Sequence, residues 1–214
     1  VSNRHRHAAL VALVAWAALL LQYALLLVAT HDGIGFWLGT LRYFSFFTIL
    51  GNIAVALTTT TAAVGGIGAR GFFGSARVRG GVALCIALVG VVYHVLLAAT
   101  WSPQGLQRVV DILLHYAVPL LYLGWWLAAV PHGRLAWRDP LRWLLFPAVF
   151  LCGCLVRGAW LHEYPYPFID VDALGYAAVL RNALAIAVLF LAGGLALVAL
   201  DRVLGQHGAA GRAP

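Results

Sequence analysis

Long apolar runs alternate with short polar connections from one end of this chain to the other. Six runs stand out, at about residues 8–29, 43–64, 80–100, 109–130, 141–160 and 176–200. Each is near or above the roughly 20 residues that carry a helix across ~30 Å of hydrocarbon. Soluble proteins rarely repeat a buried apolar helix of that length six times. The pattern predicts an all-α polytopic membrane protein with six transmembrane helices. The connections are too short to hold a soluble domain, so residues 1–214 read as a single membrane domain. The first run is too long for the core of a secretory signal peptide and lacks a small-residue cleavage site, so it reads as a true span.

Composition agrees with this reading. The chain is 63% hydrophobic and only 10% charged, against about 25% charged in a soluble domain. Charge placement adds orientation. All fourteen basic residues are arginines. Arg4, Arg6, Arg70, Arg77, Arg79, Arg134, Arg138, Arg142, Arg202 and Arg212 fall at the chain ends or in the second and fourth connections. Arg42, Arg108, Arg157 and Arg181 fall at the opposite helix ends. The positive-inside rule then predicts that both termini are cytoplasmic. The net charge of +7 belongs to residues flanking apolar spans rather than to a soluble basic face, which excludes nucleic acid as the expected partner. Membrane lipids are expected instead.

Polar residues within the spans cluster at the outward ends. In the second span, Ser45, Thr48 and Asn52 are spaced three and four apart, which predicts one shared helix face with Arg42 a turn above. The third span ends in Tyr93-His94, and the fourth carries Asp111 and His115 at i and i+4. Helix rise places Thr48, His94 and His115 at a common depth. Ionisable groups inside a span are costly and are usually functional or paired. A carboxylate one turn from a histidine can fix its tautomer and leave the other ring nitrogen as a base. Pro119 follows His115 by four residues and predicts a kink there. The fifth connection, Leu161–Gly175, is aromatic, acidic and proline-stiffened, and reads as an aromatic belt or as a lid over the polar cluster. Its acids are placed to neutralise Arg157, Arg181 or Arg42.

Other features lead away from alternative chemistry. Cys85, Cys152 and Cys154 lie in spans, and Cys-Gly-Cys has the wrong spacing for a redox pair. Thr58–Thr61 reads as hydroxyls bonded to the preceding turn, and it is the one conspicuous polar cluster in the cytoplasmic halves. Residues 65–74 are glycine-rich but match no phosphate-cradling motif. His94, His115 and Asp111, with His162 and Glu163, offer zinc ligands without a compact metal signature, and His94 with His115 offers a haem pair without a haem motif. No cofactor is expected, with zinc and haem as alternatives.

Five stretches carry a family resemblance: residues 42–52, Tyr93-His94, residues 111–122, residues 131–139, and Arg157-Gly158 leading to Tyr164–Phe168. On these the chain resembles bacterial six-helix membrane proteins related to the eukaryotic androgen-induced family. The resemblance implies a multi-pass protein of the bacterial cytoplasmic (inner) membrane. It also implies an intramembrane hydrolase, because the eukaryotic relatives are threonine hydrolases that cleave fatty acid esters of hydroxy fatty acids. His115, ahead of Pro119, matches the family histidine. An ungapped reading puts Ser45 at the family threonine, whereas a three-residue shift puts Thr48 there, keeping residue type and depth. The expected catalytic set is therefore Thr48 or Ser45 with His115 and Asp111. Arg42, Asn52, His94, Arg157, Tyr166 and Asn182 are candidates for binding substrate or stabilising an oxyanion, and an amphipathic acyl ester is the expected substrate. A lipid-binding protein or transporter without hydrolysis, and a metal- or haem-dependent membrane enzyme, stand as alternatives.

Overall fold

The computed structural model describes residues 3–66 and 68–210, so Arg212 of the basic set lies outside the described residues. Among the described residues nine α-helical segments form and there is no strand; the last is broken at Gly175 (φ 75°, ψ 157°). They are α1 (Asn3–Thr30), α2 (Gly35–Phe44), α3 (Phe47–Gly65), α4 (Ala76–Val92), α5 (Gly105–Ile112), α6 (Val118–Ala129), α7 (Asp139–Trp143), α8 (Leu145–Leu161) and α9 (Val171–Ala210). Wider π turns at Tyr93–Leu97 and Leu113–Ala117 prolong α4 and join α5 to α6. Six segments are long and apolar enough to cross a membrane: Asn3–Thr30, Phe47–Gly65, Ala76–Leu97, Gly105–Ala129, Asp139–Leu161 and Val171–Gln206.

The centre is built by α1 against α3, flanked by α4 and α6. Ala8, Val11, Ala15 and Ala18 repeat along one face of α1 and are fully buried. Small side chains let two membrane helices approach closely, where packing rather than water exclusion holds them. Val55, Ala56 and Ala62 meet them from α3, and the Trp16 indole donates to the Thr60 hydroxyl at 3.1 Å.

The second span departs from expectation at its start. It does not run on from Tyr43: α2 ends at Phe44, Phe46 is extended (φ −98°, ψ 128°), and α3 begins at Phe47. Ser45 therefore does not share a helix face with Thr48 and Asn52. Its hydroxyl instead donates back to Leu41 O at 2.7 Å and closes α2. Aromatic anchors on both sides hold the break. Tyr43 donates to Leu19 O at 2.8 Å, Phe46 packs edge-on against Tyr166, and Phe47 inserts between Phe146 and Phe150.

Pro119 acts upstream of itself. Lacking an N–H, it cannot bond the His115 carbonyl one turn back. The preceding turn widens, and Val118 N–H reaches Leu113 O instead. Gly90 of α4 lies against that carbonyl, where a Cβ would come within 3.2 Å.

The connection after α8 folds back over the bundle end. Arg157 donates to the Glu163 carboxylate (2.7 Å) and carbonyl (3.2 Å), and Asn182 holds Phe168 O at 2.9 Å. Gly158 is required here, because a Cβ would sit 2.1 Å from the Tyr164 ring.

The opposite end is richer in buried charge than the sequence suggested. Besides Thr58, Thr59 and Thr61, which bond back to their own helix as expected, it buries Arg79, Asp139 and Asp201. Asp139 pairs with Arg77 and Arg142, and Asp201 with His132. The Arg79 guanidinium lies over the Trp125 ring at 5.7 Å. These contacts tie connections to helix ends, which hydropathy does not register.

Candidate active site

Threonines within helices usually bond their own backbone, and this chain follows the rule. Thr30, Thr40, Thr58, Thr59 and Thr61 each donate to the carbonyl four residues back. Thr48 cannot. It is the second residue of α3, so the carbonyl four residues back lies across the break. Its hydroxyl meets His115 Nε2 at 3.3 Å.

The surroundings of His115 decide which nitrogen carries its proton. Nδ1 lies 2.9 Å from Asp111 O and 3.1 Å from Asp111 Oδ1. Both are acceptors only, so in the neutral ring Nδ1 carries the hydrogen and Nε2 the lone pair. Thr48 O–H is then the donor and Nε2 the acceptor. The carbonyl takes the Nδ1–H, and the carboxylate stands beside it as a charge partner. The ring lies flat on Tyr93, with centroids 3.7 Å apart and planes at 13°.

Asp111 is buried, and its charge needs support. Tyr93 O–H donates to Oδ2 at 2.5 Å, and the Trp101 indole donates in turn to the Tyr93 oxygen at 3.2 Å. The line Trp101–Tyr93–Asp111–His115–Thr48 thus crosses from the third span to the fourth and on to the second. Asn52 steadies the same junction by donating to Thr48 O (2.8 Å) and Leu114 O (3.2 Å). Both partners are carbonyls, which fixes the amide orientation.

A second polar group meets Thr48 from the folded-back connection. Tyr166 Oη accepts from Thr48 N–H at 3.4 Å. This is one of the orphan donors of the first turn of α3. Burial pushes the Tyr166 phenol up to about 12, with hydrogen bonding from the Thr48 side chain and backbone pulling the other way. It therefore stays protonated at neutral pH.

Thr48, Tyr93 and Tyr166 border a cavity of about 400 Å³. Its walls come from the second, third, fifth and sixth spans and from the folded-back connection. The fourth span stands behind Thr48 and supplies His115. The remaining lining is apolar, including Phe47, Leu97, Phe150 and Phe168.

The structure thus brings Thr48, His115, Asp111, Asn52 and Tyr166 together. It leaves Ser45 outside, closing α2. Arg42 is exposed on α2. His94 is exposed and bonds Tyr116 Oη at 3.2 Å. Adjacent helix residues point about 100° apart, and Tyr93 takes the inward direction. Arg157 and Asn182 shape the connection and do not line the cavity. Tyr93 is the participant that sequence reasoning passed over; its signal was a tyrosine at the depth of Asp111. His162 pairs with Asp172 and Glu163 with Arg157. Among the described residues no three His, Cys, Asp or Glu side chains converge as metal ligands.

No family model, curated protein or solved structure matches the chain.

The tautomer is directly measurable. Nitrogen-15 NMR of histidine-labelled protein is expected to show the neutral His115 ring with Nδ1 protonated and Nε2 bare. The reverse assignment would leave Thr48 without a base.

Proposed function

We propose that this protein is an intramembrane hydrolase that cleaves lipid esters, with Thr48 as nucleophile and His115 as general base. One observation carries the reading: the Thr48 hydroxyl is released from its own helix and faces a histidine nitrogen whose lone pair is fixed toward it. The resemblance to bacterial relatives of the androgen-induced threonine hydrolases supports a hydroxyl nucleophile paired with His115 and leaves Ser45 and Thr48 both open; the contact of Thr48 with His115 favours Thr48, because the Ser45 hydroxyl is spent on Leu41 O.

The chemistry follows from the geometry. His115 Nε2 takes the Thr48 proton as Oγ1 bonds to the ester carbonyl carbon. Negative charge grows on the carbonyl oxygen. Tyr166, which borders the cavity beside Thr48 and accepts from its N–H, supplies the O–H assigned to that oxygen. One such donor is worth about 10²–10³ in rate. Asp111 and the stacked Tyr93 ring hold the imidazolium that forms. Collapse breaks the ester C–O bond, and His115 returns its proton to the leaving alcohol. Water then attacks the acyl-threonine with His115 again as base, which releases the acid and restores Thr48. The 3.3 Å resting contact is at the long end of a hydrogen bond, as apo catalytic contacts often are.

The arginine distribution supports a cytoplasmic location for both termini, which puts this site near the outer leaflet. A cysteine introduced at Asp170 is expected to react with an impermeant thiol reagent in intact cells, while one at Gly211 stays protected. The opposite labelling would reverse the side.

The decisive assay is hydrolysis of lipid esters by purified protein in nanodiscs. Wild type is expected to turn over. Thr48→Ala and His115→Ala each lose about 10³-fold or more in kcat, since such a pair acts as a unit. Ser45→Ala keeps full activity, and Tyr166→Phe loses about 10²-fold in kcat with KM little changed. Folded wild type that turns over no ester would overturn the reading and leave a lipid-binding role.

A further inference from the structure

The cavity has a polar end and an apolar end. Thr48, Tyr93 and Tyr166 carry its only polar side-chain atoms; the other seventeen lining residues are apolar, and none is charged. Thr48 and Tyr93 sit at the helix ends nearest the folded-back connection, and Tyr166 belongs to that connection. Along α9 the lining runs from Ala183 to Phe190, and along α8 from Leu151 back to Leu144. Seven residues of helix are ~10 Å of depth. Phe190 is almost fully buried, and with Leu144 and Leu88 it forms the floor.

From this we infer that the substrates are esters of unbranched, uncharged acyl chains, that the acyl half fills this cavity, and that Phe190 sets the chain length. The inference rests on the hydrolase reading and deepens it. A charged or strongly polar group on the chain finds no partner below Thr48, so it would lose hydration without compensation. A branched chain meets walls contributed by four different spans. The acyl half is the half that goes in, because the alcohol departs first. Its way out is toward the connection, where the polar end of the cavity lies. An acyl chain left in place also keeps water away from everything but the ester carbon at the mouth.

The access route agrees with this placement. The fifth and sixth spans flank the cavity and are the least packed of the six: 11% and 17% of their most apolar windows are buried, against 50% for the third span. A chain entering from the bilayer meets its least resistance between them.

The test varies the two halves of the ester separately, in nanodiscs. Wild-type kcat/KM is expected to rise with acyl length to a maximum and then fall about tenfold as the floor is overpacked. Lengthening the alcohol should not move that maximum. Phe190→Ala moves it to longer acyl chains and Phe190→Trp to shorter ones; Phe190→Leu gives the same direction as Ala if the cavity mutant folds poorly. An ester with a carboxylate at the far end of its acyl chain should be a poor substrate for all of them. A second arm measures thermal stabilisation by N-methyl alkanamides, which share the shape and resist hydrolysis. Their best-stabilising length should shift with residue 190 in the same directions, with Thr48→Ala present or absent. A shift in that arm without any ester turnover would sink the hydrolase reading while the cavity assignment holds. Turnover that needs Thr48, with both length profiles indifferent to residue 190 or governed by the alcohol, would overturn the inference.

Discussion

Everything at this site depends on where α3 begins. A hydroxyl inside an apolar helix has one convenient partner, the carbonyl a turn behind it, and five other threonines of this chain take it. The extended Phe46 removes that partner from Thr48 and leaves the first N–H groups of α3 unspent. One break thus supplies a free hydroxyl and two backbone donors at the same point. His115 meets the hydroxyl from the fourth span, and Tyr166 meets the Thr48 N–H from the folded-back connection. In hydrocarbon such groups cannot turn to water, so each must find a protein partner or a substrate.

The cost of the arrangement falls on Asp111. A buried carboxylate is tolerated only with good hydrogen bonds and a charge partner; Tyr93 donates to Oδ2, Oδ1 has no hydrogen-bond partner among the described residues, and His115 becomes a charge partner only when protonated. The two π turns serve that requirement, since they lie where Tyr93 and His115 stack. Inserted π turns are often found at functional positions. The Asn52 amide satisfies two carbonyls, although its own oxygen has no partner among the described residues; nothing in the structure accounts for that.

Much of this was legible in the sequence. The six spans follow from hydropathy and length alone; helix rise put Thr48, His94 and His115 at a common depth, but it did not show that their helices are neighbours. The i, i+4 spacing paired Asp111 with His115. What was not legible came from tertiary packing. No glycine or proline marks the break at Ser45-Phe46, because side chains elsewhere hold it, so Ser45 read as a helix neighbour of Thr48. The inward turn of Tyr93 rather than His94 depends on how α4 is rotated against α5. The cavity lies between spans distant in sequence, and no local pattern records which helices become neighbours. Arg157 was read both as a substrate anchor and as a charge neutralised by the acids of the fifth connection; its pairing with Glu163 matches the second reading.

The central claim is that Thr48, and not Ser45, is the nucleophile activated by His115. It is tested most directly by treating the purified protein with an alkyl fluorophosphonate and locating the adduct by peptide mass spectrometry. The account predicts one adduct on Thr48, abolished by His115→Ala and untouched by Ser45→Ala. An adduct on Ser45, or one on Thr48 that forms equally fast without His115, would contradict it.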